Sequence, residues 1–312
     1  MPSFRPPEGG RRHGVLLLAT VVIAWGLTWP VNKVVLASVP PLWAVTLRSA
    51  IATVALFALA IALGKLALPS RGDLPILLSI TFLHMIGFTW LTSLGLKVVP
   101  AGRSVVLAYT TPLWVTPGAR LFLGEQLPPR RVFGVVVGLL GLALLFNPLA
   151  LDWSRGEVVL GNAAILAAAL LWAASIVHVR GHRWRSTAFA LLPWETLLAT
   201  VILIALSLAF EGVPAVTWTP PLIGLLLYGG IPGTALPYWA IAMATQRLPA
   251  VTISLGLLAT PVFSVVVSTL WLGEIVTVSL VAALAMILGG IAIGAVGGGY
   301  RSAQPASTPP RR

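Results

Sequence analysis

Residues 111–125 read TPLWVTPGARLFLGE, and residues 260–274 read TPVFSVVVSTLWLGE. The two stretches stand 149 positions apart and share a Thr-Pro opening and a Leu-Gly-Glu ending. Working outward at the same offset, Pro100-Ala101 falls on Pro249-Ala250 and Trp90 on Trp239. Nearer the start of each half the offset becomes 147, pairing Trp25 with Trp172 and Lys33 with Arg180. The chain is therefore a tandem repeat, and the fold is decided by what one copy does.

Each copy is too apolar to face water. Of 312 residues, 58% are hydrophobic and 9% are charged, and mean hydropathy is +0.96. Twenty basic and eight acidic residues cannot cover a globule of this size unless lipid surrounds most of it. A helix crosses the hydrocarbon with about 20 apolar residues. Apolar runs fall at about 14–32, 41–63, 74–96, 101–123, 131–148, 157–179, 188–210, 220–244, 249–272 and 276–297. Turn residues separate them at Pro40-Pro41, Pro69 to Gly72, Pro128-Pro129, Asn147-Pro148, Pro220-Pro221 and Pro249. The first run is not a cleaved leader, because no small-residue cleavage site follows it and Trp29, Pro30 and Lys33 carry the helix on. The expectation is an all-α membrane protein of ten transmembrane helices. Five spans per copy is an odd number, so the second copy enters the bilayer the other way up, giving two inverted five-helix repeats. The expected organisation is an N-terminal cytoplasmic tail (1–13), a first repeat (14–148), a second repeat (149–298) and a disordered Pro- and Ser-rich tail (299–312).

The net charge of +12 is topological. With the N-terminus in the cytoplasm, fourteen lysines and arginines lie on the inner side, Arg71, Arg130, Arg131 and Arg183 among them, while only Lys97, Arg103 and Arg155 lie outside. That is the positive-inside pattern, with both termini cytoplasmic and the chain in the plasma (inner) membrane. Short loops beside a bilayer do not offer the interleaved basic and aromatic surface that nucleic acid needs, so no nucleic-acid partner is expected. The partners are the lipid bilayer and a small molecule, and nothing calls for more than a monomer. With no cysteines and four scattered histidines, neither a metal centre nor a disulfide is expected. No cofactor is expected either, since no nucleotide-binding loop or nucleophile triad occurs.

Trp25-Gly26 with Trp29 and Lys33, and the spacing of thirteen residues from Pro112 to Glu125 and again from Pro261 to Glu274, make the chain resemble the EamA-type members of the drug/metabolite transporter superfamily. The resemblance spans about residues 14–297. It implies an inner-membrane carrier that moves a small metabolite, an amino acid or related compound and most often outward, by alternating access around a cavity lined by helices 1, 3, 4, 6, 8 and 9. One departure stands out: Pro117, Gly118 and Arg120 occupy positions where the second copy has Val266, Val267 and Thr269.

The candidate site residues follow from what a lipid interior penalises. Pro112 and Pro261 each remove a backbone bond near the middle of a span, freeing the carbonyls of Ala108 and Leu257. Matched breaks in opposite halves point to a midplane substrate site, with a simple packing kink as the alternative. Tyr109, Thr111, Trp114 and Thr260 surround the breaks and are expected to bind substrate, with Trp25 as an opposing wall and with Trp29, His84 and, on the Gly- and Pro-rich eighth helix, Tyr238 completing the set. Trp25, Trp29 and Lys33 form one stripe at four-residue spacing. Lys33 reads as snorkelling to the outer interface. Arg48 and Glu195 are ions some seven positions inside their spans, functional by default but about 10 Å from opposite faces, which makes a direct pair doubtful. Glu195 and His84 are the candidates for proton coupling, each with a structural reading beside it. Glu125 and Glu274 read as caps for the helix that follows each of them.

The sequence thus reads as a secondary transporter and not an enzyme. A lipid-modifying enzyme built on Glu195, His84 or Arg48 would gather its polar residues at one interface, and these are scattered in depth. A non-transporting assembly protein would have no use for so extensive a repeat. The orientation is directly testable in this cysteine-free chain. An impermeant thiol reagent on intact cells should label a cysteine at Asp152 and not one at Arg183, and the reverse pattern would refute the N-inside arrangement.

Overall fold

The computed structural model describes residues 8–146 and 153–296, which form helices and their connections with no strand among them. Helix α1 (Glu8–Val35) leads to α2 (Pro41–Ala62). A continuous helical run follows, made of a 3-10 turn (Arg71–Asp73), α3 (Leu74–Ser79), a π segment (Ile80–Phe88) and α4 (Thr89–Val98). After it come α5 (Ala101–Ala108), α6 (Thr111–Leu123) and α7 (Pro129–Leu145). The second half begins with α8 (Gly156–Gly181) and α9 (Ala188–Phe210). It continues through α10 (Pro220–Gly230), a π segment (Ile231–Ala235) and α11 (Leu236–Ala244). Last are α12 (Ala250–Leu257), α13 (Ala259–Leu272) and α14 (Val278–Val296).

Seven helices among the described residues are long and apolar enough to cross a bilayer: Arg12–Val35, Pro41–Ala62, Arg71–Val98, Gly156–Gly181, Ala188–Phe210, Val251–Leu272 and Val278–Ala295. The protein is a multi-pass membrane protein. The other helical stretches are shorter or divided: α5 and α6 part at Tyr109–Thr110, α7 has 17 residues, and the π segment divides α10 from α11. Helix α1 starts at Glu8, inside the stretch expected as a tail. The expected tail at 299–312 lies outside the described residues.

The quoted motif has a backbone reason. Gly124 and Gly273 both adopt the left-handed conformation, with φ of 67°, and end α6 and α13 as C-caps. In each case the following glutamate amide bonds back six residues, Glu125 to the Ala119 carbonyl and Glu274 to that of Ser268. A side chain with a Cβ is strained there, so Leu-Gly-Glu recurs because the turn requires it.

The halves share their irregularities as well as their motifs. The break after Tyr109 falls, at the offset of 149, on Leu258 between α12 and α13, and both π segments occupy corresponding stretches. Helices α2 and α9 pack together in opposite directions: Thr46 Oγ1 meets Ser207 Oγ at 2.8 Å, and Thr53 Oγ1 meets Thr200 Oγ1 at 3.1 Å. Helix α1 packs on α11 and α13, as α8 packs on α4 and α6. Helices α7 and α14 form the tightest pair, with backbones brought together where small residues face each other. A Cβ on Gly290 would collide with the Gly134 carbonyl oxygen, and one on Gly134 with that of Gly290.

Gly290→Val should therefore lower stability by about 1–3 kcal/mol, the range of an overpacked core. The check is the midpoint of thermal unfolding of the detergent-purified protein; an unchanged midpoint would mean that α7 and α14 are free to separate.

Candidate substrate site

Irregular backbone places most of the site. At membrane depth, non-helical backbone is tolerated only where protein or a cavity surrounds it. His84 and Phe88 come from the first π segment, Tyr238 follows the second, and Tyr109 sits in the break between α5 and α6. Together with Trp25 and Trp29 of α1 and Trp172 of α8 they line a central cavity of about 910 Å³. The rings are mutually ordered. His84 stacks on Trp172 (centroids 5.3 Å apart, planes 12° apart), and Tyr109 meets Trp172 edge-on at 6.4 Å. Trp25 meets Tyr238 edge-on at 6.0 Å, and Tyr238 Oη lies 3.4 Å from His84 Nε2. Asn32, Arg48 and a set of serines and threonines on several helices, Ser49, Thr92, Ser93 and Thr196 among them, supply the polar part of the lining.

A second cavity, about 1,490 Å³, lies below the first and runs between α6 and α12 to Glu125, Arg131 and Arg180. Trp25, Tyr109 and Trp172 line both, so these three rings form the partition between them. Trp25 and Trp172 are the pair that the repeat aligns.

The two ends of the molecule differ. At the end holding Lys33, the Glu274 carboxylate accepts hydrogen bonds from the amides of Ala101 (2.5 Å) and Gly102 (2.8 Å), so it caps α5 and ties α13 to it. Lys33 Nζ donates to the carbonyls of Leu96 (2.7 Å), Val99 (2.9 Å) and Lys97 (3.2 Å) beside it. The expected cap exists, then, but on a helix of the other half and not on the next helix. At the opposite end Glu125 takes another partner: Arg180 Nη2 donates to it at 2.5 Å and Arg131 Nη1 at 3.5 Å. There the lower cavity separates α6 from α12, and Val251 in the first turn of α12 lines its wall.

The expected site residues divide accordingly. Trp25, Trp29, His84, Tyr109, Tyr238 and Arg48 line the central cavity, and Thr111 and Pro112 line the lower one. Thr111 Oγ1 donates to the Ala108 carbonyl at 2.8 Å, so one carbonyl freed by a proline is already answered within the chain. Trp114 packs against the core around α5 and donates to Thr110 Oγ1 (3.2 Å). Thr260 is fully buried with its side chain beside Tyr109, and Pro261 is buried next to it; neither lines a cavity. Glu195 is 1% exposed on α9 and faces neither cavity. Trp172, Phe88 and Asn32 were not among the expected site residues. Trp172 was readable as the repeat partner of Trp25, whereas nothing in the sequence marks Phe88 or Asn32.

Comparison with known proteins bears on what a helical membrane protein with such cavities belongs to. The EamA-like transporter family matches the chain twice, over residues 12–147 and 159–295. The chain belongs to this family. Among its relatives, the uncharacterized transporter YoaV of Bacillus subtilis is 27% identical over 277 residues, 89% of this chain and 94% of that one. A probable amino-acid metabolite efflux pump of Salmonella typhimurium is 26% identical over 92% of this chain and 96% of its own. A riboflavin transporter of Rhizobium johnstonii is 34% identical, but over only 37% of this chain and 36% of its own. A solved crystal structure shares the fold at a TM-score of 0.66 with 22% identity, covering 92% of this chain and 97% of that one. Relatives of this EamA-like chain are thus named as transporters and not as enzymes.

If the three rings are the partition, Trp172→Ala should join the cavities. In vesicles presenting the Arg180 end to the reagent, an impermeant thiol reagent should label a cysteine at Thr92 several-fold faster in Trp172→Ala than in the parent; equal rates would place the barrier elsewhere.

Proposed function

We propose that the chain is a secondary transporter of ten spans, built as two inverted five-helix repeats (14–148 and 149–298), that moves a small metabolite across the plasma membrane by alternating access. The three stretches that fall short of a single long helix complete the ten: α5 with α6, α7, and α10 with α11. Inversion is supported by the opposed directions of α2 and α9, which occupy matched places in the repeat. The charge bias assigns the Arg180 end to the cytoplasm, with both termini there. The names of the relatives support an amino acid or related compound as cargo and efflux as the direction. The site is complete within one chain, which fits a monomer. His84, bonded to Tyr238 inside the cavity, is better placed than the enclosed Glu195 for exchanging a proton with cargo or water.

The observation that carries the reading is the difference between the two Leu-Gly-Glu turns. Glu274 caps α5 and closes one end, while Glu125, its match in the other half, leaves α12 uncapped and is held by Arg180. Lys33 and Arg180 are matched in the same way. Exchanging the roles of the halves puts Glu125 on the amides of α12 and brings Arg180 to the carbonyls of Thr245, Gln246 and Leu248. It thereby closes the Arg180 end while the Glu274 cap opens. Each state satisfies one helix N-terminus with a carboxylate and leaves the other to water in the open cavity, so two states of similar energy follow from one sequence.

Paired cysteines test this. Val265 lies against Gly102 at the closed end, and the repeat maps this pair onto Thr116 and Val251, which face each other across the lower cavity. Gly102→Cys with Val265→Cys should cross-link in the resting protein. Thr116→Cys with Val251→Cys should cross-link only during turnover, and either bridge should abolish counterflow of amino acids in proteoliposomes. Counterflow that survives both bridges would refute alternating access between these ends.

A further inference from the structure

Arg48 is a cation inside the membrane that forms no ion pair among the described residues. Its side chain lines the central cavity, and among the described residues no carboxylate, carbonyl or hydroxyl is within bonding distance of its guanidinium. Two other carboxylates are committed elsewhere. Glu211 accepts from the amides of Leu42 and Trp43 at the start of α2, and Glu274 caps α5. Glu195 is the position that the repeat matches to Arg48, at the offset of 147, so the two halves carry opposite charges at one place in the fold. No ion pair joins them among the described residues: Glu195 is buried on α9 and lines neither cavity, although its neighbour Thr196 meets Ser49, the neighbour of Arg48, at 3.4 Å.

The neighbouring backbone makes room for the cation. A Cβ on Gly229 would lie 3.4 Å from Arg48 Cδ and 3.8 Å from Asn32 Oδ1, so the Arg48 stem and the Asn32 amide come together over the glycine at the end of α10. Both side chains border the cavity, with the ring cluster in the same wall. An unpaired cation at membrane depth is costly, and that cost falls when an anion enters with the cargo and leaves with it. A guanidinium offers the planar fork that a carboxylate fits in bidentate fashion.

We infer that Arg48, with Asn32 beside it, is the carboxylate-binding group of the cavity, and that the cargo is a small carboxylic acid whose flat or apolar remainder lies against Trp25, His84, Trp172 and Tyr238. The inference rests on the transport reading of this cavity and narrows its substrate class. Arg48 discriminates by charge, while the rings supply contact area with little chemical selectivity.

The test uses matched acids and amides, which differ in charge and hardly in shape: 3-phenylpropionate and its amide, nicotinate and nicotinamide, phenylalanine and phenylalaninamide. Binding to the purified full chain is measured by isothermal titration. At least one acid should bind the parent, with its amide weaker by roughly tenfold or more, as expected for a lost charge-assisted bond. Arg48→Gln should abolish the preference, and Arg48→Lys, which keeps the charge and loses the fork, should restore part of it. Should Arg48→Gln fail to elute as a single folded species, the acid-to-amide ratios of the parent and of Arg48→Lys decide. Amides binding as well as acids, no acid binding, or an acid preference that survives Arg48→Gln would each overturn the inference. Counterflow of neutral or cationic compounds, unchanged in Arg48→Gln, would overturn it while leaving the transport reading intact. Acid binding through Arg48 without counterflow would sustain it and remove the transport reading.

Discussion

A helix that starts or breaks at the edge of a membrane exposes amide hydrogens that lipid cannot solvate, and the arrangement of this protein depends on how those amides are satisfied. Glu274 answers the amides of α5 with a carboxylate brought from the far half of the chain. The contact is charge-assisted, lies at a helix N-terminus, and joins two elements 172 to 173 residues apart in sequence. It ties the end of α13 to the start of α5, and in the proposed transport cycle it is the contact that would be exchanged for its counterpart at Glu125.

The same constraint explains the shape of the central site. A straight helix presents side chains to a cavity but keeps its backbone to itself. The π segments and the break at Tyr109–Thr110 rotate His84, Tyr238 and Tyr109 into one ring cluster while leaving only a few backbone groups to be satisfied. Hydroxyls take up that duty locally: Thr234 donates to the Gly229 carbonyl five residues back, and Thr111 to that of Ala108. The binding surface is thus a by-product of helix defects whose polar groups are satisfied at short range.

How much was legible in the sequence follows from whether a feature is local. Helix positions, turns and the tandem repeat depend on apolar runs, prolines and glycines, which the sequence displays openly. Trp25, Trp29, His84, Arg48, Tyr109 and Tyr238 were visible as polar or aromatic groups at the wrong depth for lipid, and they converge on one cavity. Phe88 and Asn32 were not visible, because a phenylalanine in an apolar run and an asparagine near a span end look like any others until the π segment sets their direction. Thr260 shows the opposite failure. Its Thr-Pro context matches that of Thr111, yet its side chain is buried behind Tyr109 and lines neither cavity. Sequence symmetry predicts equivalent positions, and a structure in one state necessarily treats them unequally.

That inequality has two layers that serve different ends. The Leu-Gly-Glu turns, Lys33 with Arg180, and Trp25 with Trp172 are alike in chemistry, as the proposed exchange of roles between the halves requires. Arg48 with Glu195, and Tyr109 with Leu258, are unlike, and they lie near the centre. A fully symmetric centre would place two cations, or two anions, on either side of the midplane, and cargo would be held equally by both halves. On the proposed transport reading, an asymmetric centre would give one half the charge that orients the cargo and leave the other half to move past it. The scaffold would then keep its symmetry where motion needs two equal states, and give it up where recognition needs a single direction of approach.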